Sequence, residues 1–487
     1  MVSLGLYLIS YDLGSLCHAT RRAAAAHIPM RVTRRSLAIL PQVPVLSNRL
    51  IRKEERLRKI AESAASWQQR FRREAALPPD FSRLKRPGSL LRLYDEKRDT
   101  LRPTDAAAAL FSLGRLNRHS AYKVGRDPLA DHPLAQCVRA DVAACAPHLS
   151  SRPLANALLG AAYLRSSDET LLSALCEAAA GKARGHFRLR DVASVVYALG
   201  RLQRPDAALM PALLSRVSSE AREMHALEMS LTCNGLADLH LAPPTALSAL
   251  SNAAVAKIED FGASELPMLL SALASLGWHD ELLLRMSATH LPLLLTDMDP
   301  KGLATSAAVF AAGSIYIPAA LQDLSAEAAL KSELFSARHC AVTLTALGRM
   351  QWEDPAAIEA LTARLAAHAK QQRAALTDMA ITVRALSRMP TGGGAVHAAL
   401  PLLLDSAVLL LDRRARGGRP MDDAELMRDL ATLCNGVVQL GATPPRPLVE
   451  HARAALEAAS DASHADGSAR GLRRTRAKLN DFLRRWE

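Results

Sequence analysis

The chain has 487 residues, 49% of them hydrophobic but only 4% aromatic, and a formal net charge of +13. A composition dominated by Ala and Leu and poor in aromatic residues argues against sheets and for packed helices. The charge sits at the ends: residues 1–102 hold 21 Lys/Arg against nine Asp/Glu, residues 470–487 hold seven against two, and 103–469 is left with a net −4. That counts against RNA lying along a basic groove, because neutralising phosphates takes a local Lys/Arg surplus, while leaving room for a local stripe.

Residues 1–49 have the composition of a mitochondrial presequence, with Arg21, Arg22, Arg31, Arg34 and Arg35 among Ala, Ser, Thr and Leu and Asp12 as the lone acid; the other reading is a basic arm kept in the mature protein. Met30 opens a more conventional presequence and is the expected translation start. The apolar opening to Leu16 is too short to span a membrane and is broken by Asp12. Residues 50–102 divide into a densely charged exposed helix, ending at Pro78-Pro79, and an irregular basic connector carrying Arg83, Lys85 and Arg86.

From residue 103 to 455 one phrase recurs. Its clearest copy runs from Asp191 to Leu202 (DVASVVYALGRL), and variants start at Asp105, Pro153, Glu228, Glu265, Gly302, His339, Asp378 and Asp429. The steps from Pro153 to Asp378 are 38, 37, 37, 37, 37 and 39, flanked by steps of 48 and 51. Such regularity marks a repeat array. Positions two, six, nine and twelve of the phrase are apolar and share one helical face. Positions three, eight and ten are small, as in Ala193, Ala198 and Gly200, which lets a neighbouring helix approach closely. The copy at Gly302 is weaker, since Ala307 and Gly313 replace larger residues. Turns such as Pro205-Asp206 and Asp354-Pro355 follow, then a second Ala/Leu-rich helix, for example Pro355 to Gln372. The expected fold is all-α: a right-handed α-solenoid of about nine helix-turn-helix repeats with a period near 37, plus basic terminal extensions.

The eleventh position is Arg115, Arg201, Arg349 and Arg388 in four copies, and Tyr163, Asp238, Ser275, Ala312 and Gln439 in the rest. Equivalent positions line up along a solenoid, so these arginines are candidates for contacting RNA; alternatively they are solvated arginines suited to a helix C-terminus. The longest step holds an insertion with Gly392-Gly393-Gly394 and the cluster Arg413, Arg414, Arg416 and Arg419. The glycines lack the lysine and hydroxyl residue of a phosphate loop and read as a turn. The arginines are either an RNA or anionic-protein contact or a mobile surface loop. Residues 456–487 read as a linker, Ser460–Ser468, and a basic terminal helix whose Arg473, Arg474 and Arg476 could grip phosphate or cap the array.

No catalytic constellation is visible. The seven cysteines are scattered without Cys-x-x-Cys spacing, and Cys233 and Cys434 fall on the buried sixth position, so neither zinc nor disulfides are expected. His339-Cys340 adjoin, but neighbours on a helix point about 100° apart. Asn234 and Asn435 recur mid-helix before Gly235 and Gly436, where hydrogen bonding to the loop of an adjacent repeat is expected to hold them; the other reading is that they face the ligand surface.

The phrase resembles the octotricopeptide-type repeat and the related helical repeats of RAP-domain and FAST-kinase-like proteins, with Glu265–Gly277 (ELPMLLSALASLG) and Asp191–Leu202 closest to it. The resemblance implies an organellar protein that binds RNA to support its processing, stability, editing or translation, or a structural piece of an organellar ribosome. Nothing after Pro445 reads as strands, so no RAP domain is expected. The function expected is mitochondrial RNA metabolism in the matrix, rather than in a plastid: a non-enzymatic RNA-binding or scaffold subunit of a ribonucleoprotein. Its expected partners are RNA (a mitochondrial transcript or rRNA) and protein subunits, with no cofactor, metal, small-molecule substrate or membrane span. Alternatives are a mitoribosomal subunit and an armadillo-like protein adaptor.

Overall fold

The computed structural model describes residues 79–389, 394–417, 423–461 and 469–486, all within one of the chain's two compact units, Arg58–Glu487. The expected presequence, the charged helix, Gly392, Gly393, Arg419 and most of the terminal linker lie outside the described residues.

Twenty α-helices and no strand occur among the described residues. The first, α1, is Pro87–Lys97. Nine helices then carry the recurring phrase: α2 (Pro103–Val124), α4 (Ser151–Leu164), α6 (Leu189–Arg201), α8 (Ala226–Asp238), α10 (Glu265–Ser275), α12 (Pro300–Ala312), α14 (Ala337–Arg349), α16 (Leu376–Leu386) and α18 (Ala424–Gln439). Each is followed by a partner: α3 (Pro133–Cys145), α5 (Glu169–Ala180), α7 (Met210–Glu220), α9 (Pro244–Ala256), α11 (Glu281–His290), α13 (Pro318–Leu330), α15 (Pro355–Lys370), α17 (Gly394–Arg416) and α19 (Arg446–Asp461). The last helix is α20 (Ala469–Trp486). Every phrase helix packs on the next, from α2 to α18, and the partner helices form the second layer. This is an all-α helical-repeat solenoid.

Each position of the phrase has a visible job. Val192, Val196 and Leu199, like Leu266, Leu270 and Leu273, are buried. The small tenth residue meets the small eighth residue of the following repeat: a Cβ placed on Gly200 would lie 2.7 Å from the Cα of Gly235. The acid at position one accepts from a backbone N–H three residues earlier, as Asp105 does from Arg102 at 3.0 Å and Glu228 from His225 at 2.9 Å, neutralising a helix N-terminus. It also ties adjacent repeats: Arg152 donates to Asp191 at 3.1 Å and Thr377 to Asp429 at 2.6 Å.

Position thirteen ends the helix. Arg165, Gln203, His240, Gly277, Ser314, Gln351 and Gly441 all have φ between 54° and 70°, and the next N–H reaches back across the last turn, as Arg204 to Leu199 O and Trp352 to Leu347 O, a Schellman closure. A second regular device lies just before each phrase. Phe187, Met224, Phe261, Met298 and Phe335 are buried anchors. Their carbonyls accept from basic side chains of the trailing helix or its end: Arg216, Lys257 at 3.0 Å, His290 at 3.3 Å, Lys331 at 3.0 Å and His368 at 2.8 Å. These five cationic or titratable side chains therefore bond the loops.

The stretch expected to be an irregular connector instead contains α1. Leu90, Leu91 and Tyr94 share a helical face and are buried with Phe81, and Tyr94 and Arg98 both donate to Asp141 of α3, at 3.0 Å and 2.9 Å. At the other end Leu479, Phe482 and Leu483 bury one face of α20 against the array, so it caps the last repeat. The trailing helix α19 runs past the boundary expected at 455. By length and composition α17 is apolar enough to cross a membrane; here it packs on α15, α16 and α19.

Candidate nucleic-acid interface

Positions seven and eleven lie one turn apart on every phrase helix; position seven is half-buried except at the buried Leu159, and position eleven is half-buried to exposed. Stacking the repeats turns them into a continuous strip of three parts. Repeats one to three present Phe111, Arg115, Tyr163, Tyr197 and Arg201, with Leu159 buried beneath them. Repeats four to six present Asn234, Asp238, Ser271, Ser275, Ala308 and Ala312; repeats seven to nine present Thr345, Arg349, Arg384, Arg388, Asn435 and Gln439.

The strip does bring equivalent positions together, but it does not leave all the arginines free. Arg201 pairs with Asp238, the same position in the next repeat, at 3.3 Å. Arg115 is exposed and donates to the Ser82 carbonyl at 2.6 Å. Arg349 and Arg388 are exposed, and neither forms an ion pair with a described residue. The insertion cluster is not a loop: Arg413, Arg414 and Arg416 end the long helix α17, because the apolar run from Val396 to Leu411 continues helical packing up to them. Arg413 donates to the Ala369 and Lys370 carbonyls at 2.9 and 3.1 Å, capping α15. Arg414 pairs with Asp423 at 2.9 Å, and Arg416 reaches the Asp412 carbonyl at 3.2 Å. Together with Thr377 and Asp429 the three arginines line an open cleft of about 880 Å³. In α20, Arg474 is exposed and Arg476 half-buried, while nothing is described of the Arg473 side chain.

Asn234 and Asn435 are half-buried and make no hydrogen bond with a described residue. The expectation that they bond an adjacent repeat is corrected: the following glycines make the close approach, Gly436 against Val383 and Arg384 and Gly235 against Val196. The weak copy at Gly302 folds as α12 all the same. Ala307 and Phe310 are buried there, and the space beside Gly313 is taken by Leu284.

The buried thiols fit packing and not chemistry. Burial pushes Cys233, Cys340 and Cys145 up to about 12 and Cys176 up to about 11. Cys340 is in the core, whereas His339 packs edge-on against the Phe335 ring, and burial lowers its imidazole pKa. Among the described residues no group of three or more His, Cys, Asp or Glu is placed to hold a metal.

A feature not read from the sequence is the length of α2. The thirteenth residue of its phrase is Asn117, whose side chain donates to the Leu113 carbonyl at 2.9 Å, and the helix continues to Val124 before Gly125 breaks it at φ 75°. The long step of 48 and the acid-free stretch from Ala106 to Arg126 were the available signals.

Comparison with known proteins returns one family. The model of the family described as "RNA-editing substrate-binding complex 6 protein" matches residues 228–390, five phrase helices from α8 to α16. That family is not the octotricopeptide or RAP-like group which the phrase resembles. No curated protein matches the chain.

Proposed function

We propose that this protein is a non-enzymatic subunit of a mitochondrial RNA-editing substrate-binding assembly, in which the solenoid holds protein subunits together and presents RNA. The observation that carries the reading is the family match over 228–390, laid on consecutive repeats of one array. Within that segment the outer strip is mostly neutral from Asn234 to Ala312, and the apolar residues Leu282, Met286, Leu293, Leu330 and Leu334 are exposed. A surface of this kind favours protein contacts over phosphate contacts. RNA contact then falls to the repeats on either side of the neutral strip, including Arg349 and Arg388, and to the basic ends.

The test is purification of the tagged full-length protein from mitochondria, with its protein and RNA partners identified. Co-purification of RNA-editing subunits and of edited transcripts or their guides, together with loss of edited product on depletion, is expected. Recovery with ribosomal proteins and rRNA instead would overturn the reading in favour of a mitoribosomal role.

A further inference from the structure

The outer face of the first three repeats combines uncompensated positive charge with aromatic rings. Past Asn117, α2 carries Arg118, His119, Tyr122 and Lys123, and Arg126 follows; all are exposed. No acid occurs between Ala106 and Arg126. The bordering Asp127 is buried with Arg139, 3.5 Å away, and so does not offset the exposed charges. Arg118, Lys123, Arg126 and Arg165 form no ion pair with a described residue. The rings are organised across repeats. Phe111 and Tyr163 lie 6.2 Å apart, the Arg118 guanidinium sits 5.1 Å above the Tyr163 ring, and Arg165 lies 5.5 Å from the Tyr122 ring. Tyr122 nevertheless remains 69% exposed. Beside them opens a cleft of about 380 Å³ lined by Arg165, Ser166, Arg201 and Gln203 and by the ion pair of Arg204 with Glu169 at 2.7 Å.

An aromatic side chain left this exposed on a helix that outruns its neighbours has no packing explanation. Rings already paired with guanidinium planes and flanked by free cations are what single-stranded nucleic acid needs: stacking surfaces for splayed bases and charge for the backbone. Duplex RNA would gain the charge alone, since its bases are already stacked. We propose that this surface of α2, α4 and α6, centred on Tyr122, Arg118 and Arg165, binds single-stranded RNA. The proposal deepens the reading above, on which it rests for the presence of RNA, and assigns the contact to the first repeats.

The test uses the purified full-length protein and a fluorescent 12-nucleotide oligo(U), with a 12-base-pair RNA duplex in parallel. Wild type is expected to prefer the single strand. Replacing Tyr122→Ala, Arg118→Ala and Arg165→Ala together weakens single-strand binding by about tenfold or more, whereas Tyr122→Phe stays within about twofold because the ring is kept. A control, Arg285→Ala on α11, whose arginine pairs with Glu281 at 2.8 Å, retains the preference. Unchanged melting temperatures verify that the variants fold. Wild-type affinity in the triple variant, equal loss in Tyr122→Phe and Tyr122→Ala, or no RNA binding by wild type, as an acidic protein partner would give, overturns the proposal. None of these outcomes touches co-purification with the editing assembly, so the two readings fail separately.

Discussion

Gln351 occupies a left-handed backbone position, φ 54°, at the end of α14; its side chain makes no bond with a described residue. A side chain in that conformation costs about 1–2 kcal/mol, less the extra chain entropy a glycine loses. Gln351→Gly is therefore expected to raise stability by about 0.5–1 kcal/mol in a urea titration. Gln203, in the same conformation, donates to the Gly200 and Asp238 carbonyls at 3.2 and 2.8 Å, so Gln203→Gly gains less or nothing. Equal gains at both sites would show that the side-chain bonds contribute nothing. The thiols make a pH argument. Burial raises the folded-state pKa of Cys233 and Cys340 to about 12, above the unfolded value of about 8.5. The folded state then binds more protons than the unfolded one between those values, so their contribution is complete below about pH 8.5 and is lost as pH rises. The melting temperature should fall above that point, and more shallowly in Cys233→Ala with Cys340→Ala; an identical slope would remove the thiols as the cause. Neither effect was readable as such: the sequence shows a cysteine at an apolar position, but the left-handed turn at a Gln emerges only from the closure of the helix.

The glycine contacts govern how phrase helices sit on one another. Gly200 of α6 and Gly235 of α8 meet backbone to backbone, so Gly200→Ala forces the helices apart at a cost of about 1–3 kcal/mol. Nothing lies within 4 Å of a Cβ on Gly185, and Gly185→Ala should be near neutral in the same melt. Similar effects at both would mean that the interface gives freely. At the N-terminal end, Asp141 accepts from both Tyr94 and Arg98. Removing it leaves a buried phenol without its acceptor, and Asp141→Ala is expected to cost about 3 kcal/mol, with the earliest hydrogen exchange appearing in α1. This level of the fold was largely legible. The apolar spacing, the small residues at positions eight and ten and the proline turns give the helix pairs directly, because the same packing problem recurs every repeat. Helix α1 was missed because its Leu90, Leu91 and Tyr94 stand among six charged residues from Arg86 to Arg98, and only the exposed end of the array shows what they cover. Arg413 and Arg414 were read as a possible loop for a similar reason: arginines at a helix end look free until the carbonyls that Arg413 caps and the Asp423 carboxylate that Arg414 pairs with are in view.

Across the whole array, charge, rings and apolar residues separate by segment. The first three repeats carry aromatic residues and free arginines, the middle three a neutral strip, and the last three Arg349, Arg384 and Arg388. Since the array as a unit is slightly acidic, the RNA affinity proposed for it has to come from local surfaces, and raising the salt concentration should weaken it with the shallow slope of a few phosphate contacts. The overall balance was legible from composition, yet the distribution was not, because positions seven and eleven become one surface only when the repeats stack. The most direct measurement of the central claim is ultraviolet crosslinking in intact mitochondria, with crosslinked peptides mapped on the protein and the attached RNA sequenced. RNA-bearing peptides from the Phe111–Arg165 region, attached to transcripts under editing or their guides, are the expected result. An array free of RNA crosslinks, or crosslinks confined to the neutral strip of repeats four to six, would contradict the account.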